Sequence, residues 1–272
     1  MKASTLQLEK IFIGYKKGLW VNKDIQLSLS SGRITGIIGP NGAGKSTLIK
    51  GIAGRVPFSK GSMTLNNGKD LNELSIRERA GFVSVLSQNI DPPNTMSVKN
   101  FVALGAFQRE GFALSLDEKE NVKLNKCLGK FNLLNLSDNL VTELSGGEFQ
   151  RARLAQLDYQ NTELVLMDEP ASFLDWEYQS FVLNYCRHLA KKENKMVCLA
   201  IHDLNMAKDL CDDVCLMKNG KLVLSGPTKN ILTGENLKTI FPNSLEIVSS
   251  QIDEQGRTFF KHSKNNNPFN IN

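Results

Sequence analysis

Glycines, a lysine and two hydroxyl residues stand at a fixed spacing between residues 39 and 47. The stretch reads Gly39-Pro40-Asn41-Gly42-Ala43-Gly44-Lys45-Ser46-Thr47. A glycine, four free positions and then Gly-Lys-Ser/Thr is a phosphate-binding spacing, because glycines accept the positive φ that turns successive N–H groups toward phosphate oxygens. The Lys45 charge would lie at the outer phosphates, and the Ser46 hydroxyl could ligate a bridging Mg²⁺ ion.

The segments on either side of this stretch support phosphate binding. The apolar run 34–38 predicts a buried strand, and the residues from Lys45 onward predict a helix. Such a helix points the positive end of its dipole at the phosphates. An ordinary glycine-rich turn before a helix is the alternative, and the order of strand, loop and helix disfavours it.

Two acidic residues end a second apolar strand. Residues 164–167 are all apolar, and Asp168 and Glu169 follow them directly. A strand buried on both faces would deliver Asp168 beside the phosphate-binding stretch, where it could hold Mg²⁺ through bound water. Glu169 would point the other way and could accept a proton from an attacking water molecule. The alternative is that these acids only end the strand, and the presence of Lys45 and Ser46 argues against it.

Two more predicted strands end in polar side chains. The run 82–86 leads to Gln88, and the run 196–201 leads to His202. Ligands collect at the carboxyl edge of a parallel sheet, so Gln88 could donate or accept a hydrogen bond there and His202 could contact a γ-phosphate. Taken singly, each of these residues is more often solvated or structural.

Two other segments could contact a nucleotide. Tyr15 ends an early strand and could stack on a flat base, although a lone aromatic near a turn is more often a packing residue. Ser145, Gly146 and Gly147 begin a helix and could form a second anion-binding site or an ordinary helix cap. Two phosphate-binding helix starts are one more than a single nucleotide needs.

The composition excludes several classes of protein. The chain has 272 residues and a net charge of +5 at pH 7, and its dispersed charges argue against nucleic acid as a partner. It has neither a secretory signal nor the run of about 18 apolar residues that would cross a bilayer, so we expect a cytoplasmic location. The five cysteines form no Cys-x-x-Cys pair, which favours buried free thiols over disulfides or a zinc site.

The remaining patterns predict an α/β fold with two additions. Residues 6–13 and 25–29 alternate in polarity and predict an antiparallel β subdomain before the buried strand 34–38. Residues 98–107 and 117–131 have helical spacing and predict an α-helical subdomain, over about 91–160, inserted in the α/β core. We expect one domain over 1–240, followed by a short extension, 241–272, whose last ten residues are frayed.

Taken together, these segments resemble the nucleotide-binding subunit of ATP-binding cassette (ABC) transporters, from about residue 6 to residue 228. The resemblance implies a P-loop NTPase (RecA-like) core and gives each segment a family role. In family terms Tyr15 is the adenine-stacking aromatic, 39–47 the Walker A loop, Gln88 the Q-loop, 144–148 the signature, 164–168 Walker B, Glu169 the catalytic base, 172–175 the D-loop and His202 the switch histidine.

The sequence departs from the family pattern at two positions. Phe149 follows the signature where a polar residue is usual, and Phe173 lies in the D-loop where alanine is frequent. Both elements face the second subunit in the family, so the departures concern packing at that interface.

The resemblance also implies cofactors and partners. ATP and Mg²⁺ would be bound, with Ser46, Gln88 and Asp168 near the metal. Two copies would pack head to tail, so that Ser145 and Gly147 of one chain meet the γ-phosphate held by Lys45 of the other. An integral membrane permease would dock near residues 88–106 and place the subunit on the inner face of the cell membrane.

The transported cargo is inferred from one further resemblance. The segment 95–105 is similar to a stretch in importers of iron–siderophores, haem and vitamin B12, which favours a metal-chelate importer supplied by a substrate-binding protein. A zinc or manganese importer, an exporter and a non-transport cassette ATPase remain the alternatives.

Overall fold

A six-stranded sheet forms the centre of the computed structural model, which describes residues 4–16, 18–88, 90–107, 117–171, 176–241, 251–252 and 258–259. The strands are β3 (Ile34–Ile38), β5 (Val83–Leu86), β6 (Leu164–Asp168), β7 (Met196–Ala200), β8 (Asp213–Lys218) and β9 (Lys221–Pro227). Their order in the sheet is β5-β6-β7-β3-β8-β9; all neighbours pair in parallel except β8 and β9, which are antiparallel. Every residue of β3, β6 and β7 is buried, as expected for a sheet that is covered on both faces.

A smaller antiparallel sheet covers the N-terminal part of the core. Its strands are β1 (Thr5–Ile13), β2 (Asn22–Ser30) and β4 (Phe58–Leu65), in the order β2-β1-β4. Apolar residues on its inner face share one core with α1 (Lys45–Ile52) and with one face of the central sheet. The helix α1 therefore lies between the two sheets, with the phosphate-binding stretch immediately before it.

The chain between β5 and β6 forms helices and, among its described residues, no strand. Its described helices include α3 (Val98–Ala103), α4 (Glu118–Lys130) and α5 (Gly146–Gln160), whereas α2 (Ile76–Phe82) directly precedes β5. The side chains of Ser97, Asp117 and Ser145 each accept a backbone N–H at the start of α3, α4 and α5. Leu124, Leu128 and Leu154 are fully buried in the core of this helical segment.

The C-terminal part adds helices to the second face of the sheet. These are α6 (Trp176–Lys191), α7 (Leu204–Leu210), α8 (Thr228–Ile231) and α9 (Gly234–Ile240), and two short strands, β10 (Gln251–Ile252) and β11 (Thr258–Phe259), pair with each other. In the described part of the chain, no helix is both long and apolar enough to span a membrane.

The predicted fold class is confirmed, with one difference in helix length. The helix predicted over 98–107 ends at Ala103, and residues 104–106 form a tighter 3₁₀ turn. At Gly105 the chain passes so close to α5 that a Cβ would lie 2.4 Å from the backbone oxygen of Gln156. The domain limits 1–240 and 91–160 stay predictions, and the ten terminal residues lie outside the described residues.

All five cysteines are buried and free. Cys211 follows α7, whereas Cys215 lies in β8, so the two do not share a helix face. Among the described residues, no cluster of three or more His, Cys, Asp or Glu side chains could hold a metal ion. Burial of all five thiols is the result that the interpretation as packing residues predicts.

We predict that Phe131→Ala destabilises the protein strongly. Phe131 is 1% exposed and meets the rings of Phe181 and Tyr185 edge-on, at centroid distances of 5.8 and 5.4 Å, so it joins the helical segment to α6. Removing a buried phenyl ring should lower the free energy of unfolding by about 3–5 kcal/mol in urea titrations. Leu134→Ala, at a 49% exposed position, is the control, and equal unfolding midpoints for the two variants would contradict this packing.

Candidate active site

The phosphate-binding stretch forms a tight loop after β3 and continues into the first turn of α1. Gly42 and Gly44 have φ values of +78° and +98°, in the left-handed region that favours glycine. Gly44 directly precedes α1, whose first backbone N–H groups have no partner within the helix. The loop therefore ends in N–H groups that can donate hydrogen bonds to a bound anion.

Residues remote in sequence support this loop from behind. Gly39 lies against β8, where a Cβ would be 2.4 Å from the backbone oxygen of Met217. The N–H of Gly220, in the β8–β9 turn, donates to the backbone oxygen of Ala43 at 3.0 Å. The buried Asn22 side chain donates through Nδ2 to the backbone oxygen of Gly44 at 3.1 Å. Asn22 lies at the start of a strand, and no pattern in the sequence identifies it as a residue that supports the loop.

The Lys45 side chain folds back along the loop. Its Nζ donates to the backbone oxygens of Gly39 and Pro40 at 2.8 and 3.2 Å. Burial lowers the pKa of the ammonium group from its ordinary value, and the carboxylates of Glu169 and Asp168 oppose that shift. A positive charge thus lies within the loop, close to two acidic side chains.

Ser46 and Asp168 meet where α1 faces the end of β6. The Ser46 Oγ donates to Asp168 Oδ1 at 3.0 Å. Burial raises the pKa of the Asp168 carboxyl, and the hydrogen bond from Ser46 opposes the rise. A hydroxyl and a carboxylate oxygen at this distance match the oxygen ligands that Mg²⁺ prefers.

Glu169 turns out of β6 and contacts two side chains from neighbouring strands. Its φ of +52° lies in the left-handed region, and its N–H donates to the backbone oxygen of Ala200 at 3.2 Å. The Gln88 Nε2 donates to Glu169 Oε2 at 2.7 Å, and His202 Nε2 contacts Glu169 Oε1. A non-glycine residue in this conformation costs of the order of 1–3 kcal/mol, which the surrounding contacts must offset.

Tyr15 lies beside the end of the loop. Its hydroxyl is 3.5 Å from Thr47 Oγ1, and the residue is 59% exposed. Asn41, at the tip of the loop, is also exposed, whereas Ala43 and Thr47 are buried. An exposed aromatic ring next to the loop is available to a flat ligand.

The second predicted anion site lies apart from these residues. Ser145 exchanges hydrogen bonds with Glu148 in a capping box at the start of α5. A Cβ at Gly146 or Gly147 would meet no described atom within 4 Å, so the start of α5 is open on this side. Within the described part of one chain, Ser145, Gly146 and Gly147 make no hydrogen bond to the loop 39–47.

Of the two phenylalanines that depart from the family pattern, the structure describes Phe149 but not Phe173. Phe149 packs against Phe101 of α3 at a centroid distance of 5.8 Å, so its ring is held within the helical segment rather than only at an outer surface. Phe173 and the rest of the predicted D-loop, 172–175, lie outside the described residues.

Comparison with known proteins identifies the family. The model of the ABC transporter family matches residues 22–172. The iron(3+)-hydroxamate import ATP-binding protein of Bacillus subtilis is 31% identical over 247 residues, covering 90% of this chain and 91% of the relative. The manganese transport system ATP-binding protein of the same organism is 33% identical over 252 residues, covering 92% and 98%.

A solved structure agrees with these relatives. It shows the inward-facing conformation of an ABC transporter assigned to the metal-chelate type, and it superposes with a TM-score of 0.77 at 25% identity, covering 96% of this chain and 98% of that one. The family model and both relatives extend over most of the fold described above. The chain belongs to the ABC transporter family, as one of its ATP-binding ATPase subunits.

Proposed function

We propose that this ATPase hydrolyses ATP at the carboxyl edge of the central sheet, with Glu169 as the general base, and that hydrolysis drives the import of a metal chelate. The observation that carries the proposal is the Glu169 carboxylate, which contacts both Gln88 and His202 beside the loop 39–47. A general base must be a proton acceptor that is held in a fixed orientation next to the bound phosphates.

The nucleotide would lie along the loop, with its base on the exposed ring of Tyr15. Backbone N–H groups of residues 39–47 and the Lys45 ammonium would bind its phosphates. His202, 39% exposed in its side chain, would reach the γ-phosphate from the end of β7. This arrangement supplies positive charge and N–H donors where negative charge accumulates during phosphoryl transfer.

Mg²⁺ fits the oxygen ligands at the junction of α1 and β6. Ser46 and Asp168 would hold the ion, and the amide oxygen of Gln88 is available because Gln88 contacts Glu169 through its nitrogen. When bound, the ion neutralises charge on the β- and γ-phosphates. The Glu169 carboxylate would accept a proton from water as that water attacks in line with the γ-phosphate.

A second copy of the chain would complete each site. The open surface at Gly146 and Gly147, with Ser145 at the helix start, provides an anion-binding position that the loop of the same chain does not use. In a head-to-tail dimer this position would face the γ-phosphate held by the partner's loop. Closure on ATP and opening after hydrolysis would then move an integral membrane permease.

The cargo is assigned by similarity. The relative that imports iron(3+)-hydroxamate and the metal-chelate transporter structure favour a ferric siderophore or haem, delivered by a substrate-binding protein. The manganese transport relative favours a bare divalent cation as the second candidate. Such a permease would hold this subunit on the inner face of the membrane.

Gly44→Ala should weaken ATP binding without unfolding the protein. A Cβ at Gly44 would lie 2.5 Å from Asn22 Nδ2, and the residue has a φ of +98°. The left-handed conformation alone costs alanine about 1–2 kcal/mol, so we expect at least a roughly tenfold rise in the Kd for a fluorescent ATP analogue.

Gly68→Ala is the matched control. Gly68 has a φ of +87°, yet a Cβ there meets no described atom within 4 Å. This variant should lose similar stability and keep wild-type affinity for the analogue. Equal affinity of the Gly44→Ala and Gly68→Ala variants would contradict the proposed role of the loop.

Glu169→Gln should leave ATP binding intact and block turnover. The amide keeps the size of the side chain but cannot accept a proton, and loss of a general base typically lowers kcat by about 10²–10⁴-fold. The variant should accumulate as an ATP-bound dimer in size-exclusion chromatography. Glu163→Gln, at an exposed glutamate before β6, is the control. Turnover near wild type in Glu169→Gln would remove this residue from the mechanism.

The import proposal is tested by isolating the complex. We would purify the tagged chain from gently solubilised native membranes, identify its partners and titrate the accompanying substrate-binding protein with ferric siderophores, haem, cobalamin, Mn²⁺ and Zn²⁺. Saturable binding of a chelate supports the proposal. Binding of only the bare cations would overturn the cargo, and recovery of ribosomes or DNA-processing proteins without a permease would overturn transport.

A further inference from the structure

A buried arginine connects the helix that begins at the signature to the segment that carries Gln88. Arg153 lies two turns into α5 and is 4% exposed. Its Nη2 donates to the backbone oxygen of Ser87, and its Nη1 donates to the backbone oxygen of Gln88 at 3.4 Å. The guanidinium therefore reaches from the helical segment to the chain that follows β5.

Other contacts fix this guanidinium on its own helix. Nη1 also donates to Gln150 Oε1 at 2.8 Å, and the guanidinium carbon lies 6.0 Å from the centre of the Phe149 ring. Phe149 in turn packs against Phe101. Arg153 consequently moves with α5, because its partners on that side belong to the helical segment.

The segment after β5 is held from the opposite side as well. Arg55, which follows α1, donates through Nη1 to Ser87 Oγ at 3.0 Å. Ser87 is thus bonded to the nucleotide-binding core through its side chain and to α5 through its backbone. The next residue, Gln88, extends its side chain to Glu169.

Burying a charged arginine at this position opposes folding. Burial lowers its pKa from the ordinary value, because a desolvated guanidinium is less stable than a hydrated one. The neighbouring buried positions on α5 are Ala152 and Leu154, so an apolar side chain would fit the same helix. Buried charges are often replaceable by apolar residues without loss of stability, so stability alone does not account for an arginine here.

We propose that Arg153 is a positioning residue that couples the two ATP sites of the dimer through Gln88. The inference rests on the proposed function. The start of α5 would contact the nucleotide held by the partner, whereas Gln88 and Glu169 act on the nucleotide of their own chain. A shift of α5 would move the backbone of Ser87 and Gln88 through Arg153 and so reorient Gln88 at Glu169.

The test is a double-mutant cycle on ATP hydrolysis by the full chain. Arg153→Met should lower kcat by roughly tenfold, as expected for coupling between contacting residues. The Kd for ATP should stay unchanged and the Hill coefficient for ATP should fall toward one. Combined with Gln88→Ala, Arg153→Met should cause no further loss, because its effect passes through Gln88.

Two variants keep this test decisive. Arg187→Met, at an exposed arginine on α6, should keep wild-type kinetics. Arg153→Lys retains the charge but cannot bond both backbone oxygens with a planar fork, so it should show the same loss of kcat and remains available if Arg153→Met fails to fold.

Three results would overturn the inference. These are wild-type kcat in both Arg153 variants, losses that multiply in the double variant, or a fall in ATP affinity that matches the fall in kcat. Failure of the proposed function looks different, because Gln88→Ala and Glu169→Gln would then keep wild-type turnover. If only the inference fails, those two variants stay slow while the Arg153 variants give one of the three results above.

Discussion

The rest of the site depends on one constraint, which is the contact of the Glu169 carboxylate with side chains that follow two neighbouring strands. Glu169 leaves β6 in a left-handed conformation and meets Gln88 and His202. These three side chains converge because β5, β6 and β7 are adjacent and parallel, so their carboxyl ends lie at one edge. The same order places β3 next to β7, which brings the phosphate-binding loop to that edge.

Burial has opposite effects on the two charged groups beside the loop. It lowers the pKa of Lys45 and raises the pKa of Asp168, so each charge is disfavoured by loss of water. The Lys45 ammonium favours the ionised carboxylate, and the carboxylate favours the ammonium, so each offsets part of the other's shift. The site thus holds a cation and an anion ready for phosphate oxygens and a divalent ion, at the cost of burying both.

The sequence predicted the elements that depend on local spacing. The loop 39–47, the strand-ending acids and the helix cap at Ser145 follow from rules about neighbouring residues. The contacts of Asn22 and Arg153 could not be predicted, because their partners lie 22 and about 65 residues away and depend on how the segments pack. The early end of α3 at Ala103 likewise depends on its close approach to α5, which no local pattern records.

The central claim is that each ATP site combines the loop and Glu169 of one chain with Ser145 of another. The most direct measurement mixes two inactive variants, Ser145→Arg and Glu169→Gln, under conditions in which differently tagged subunits are shown to exchange. In mixed dimers one site is intact and the other carries both substitutions, so an equal mixture should recover about a quarter of the wild-type ATPase sites. Activity no higher than that of either variant alone, despite exchange, would contradict the composite site.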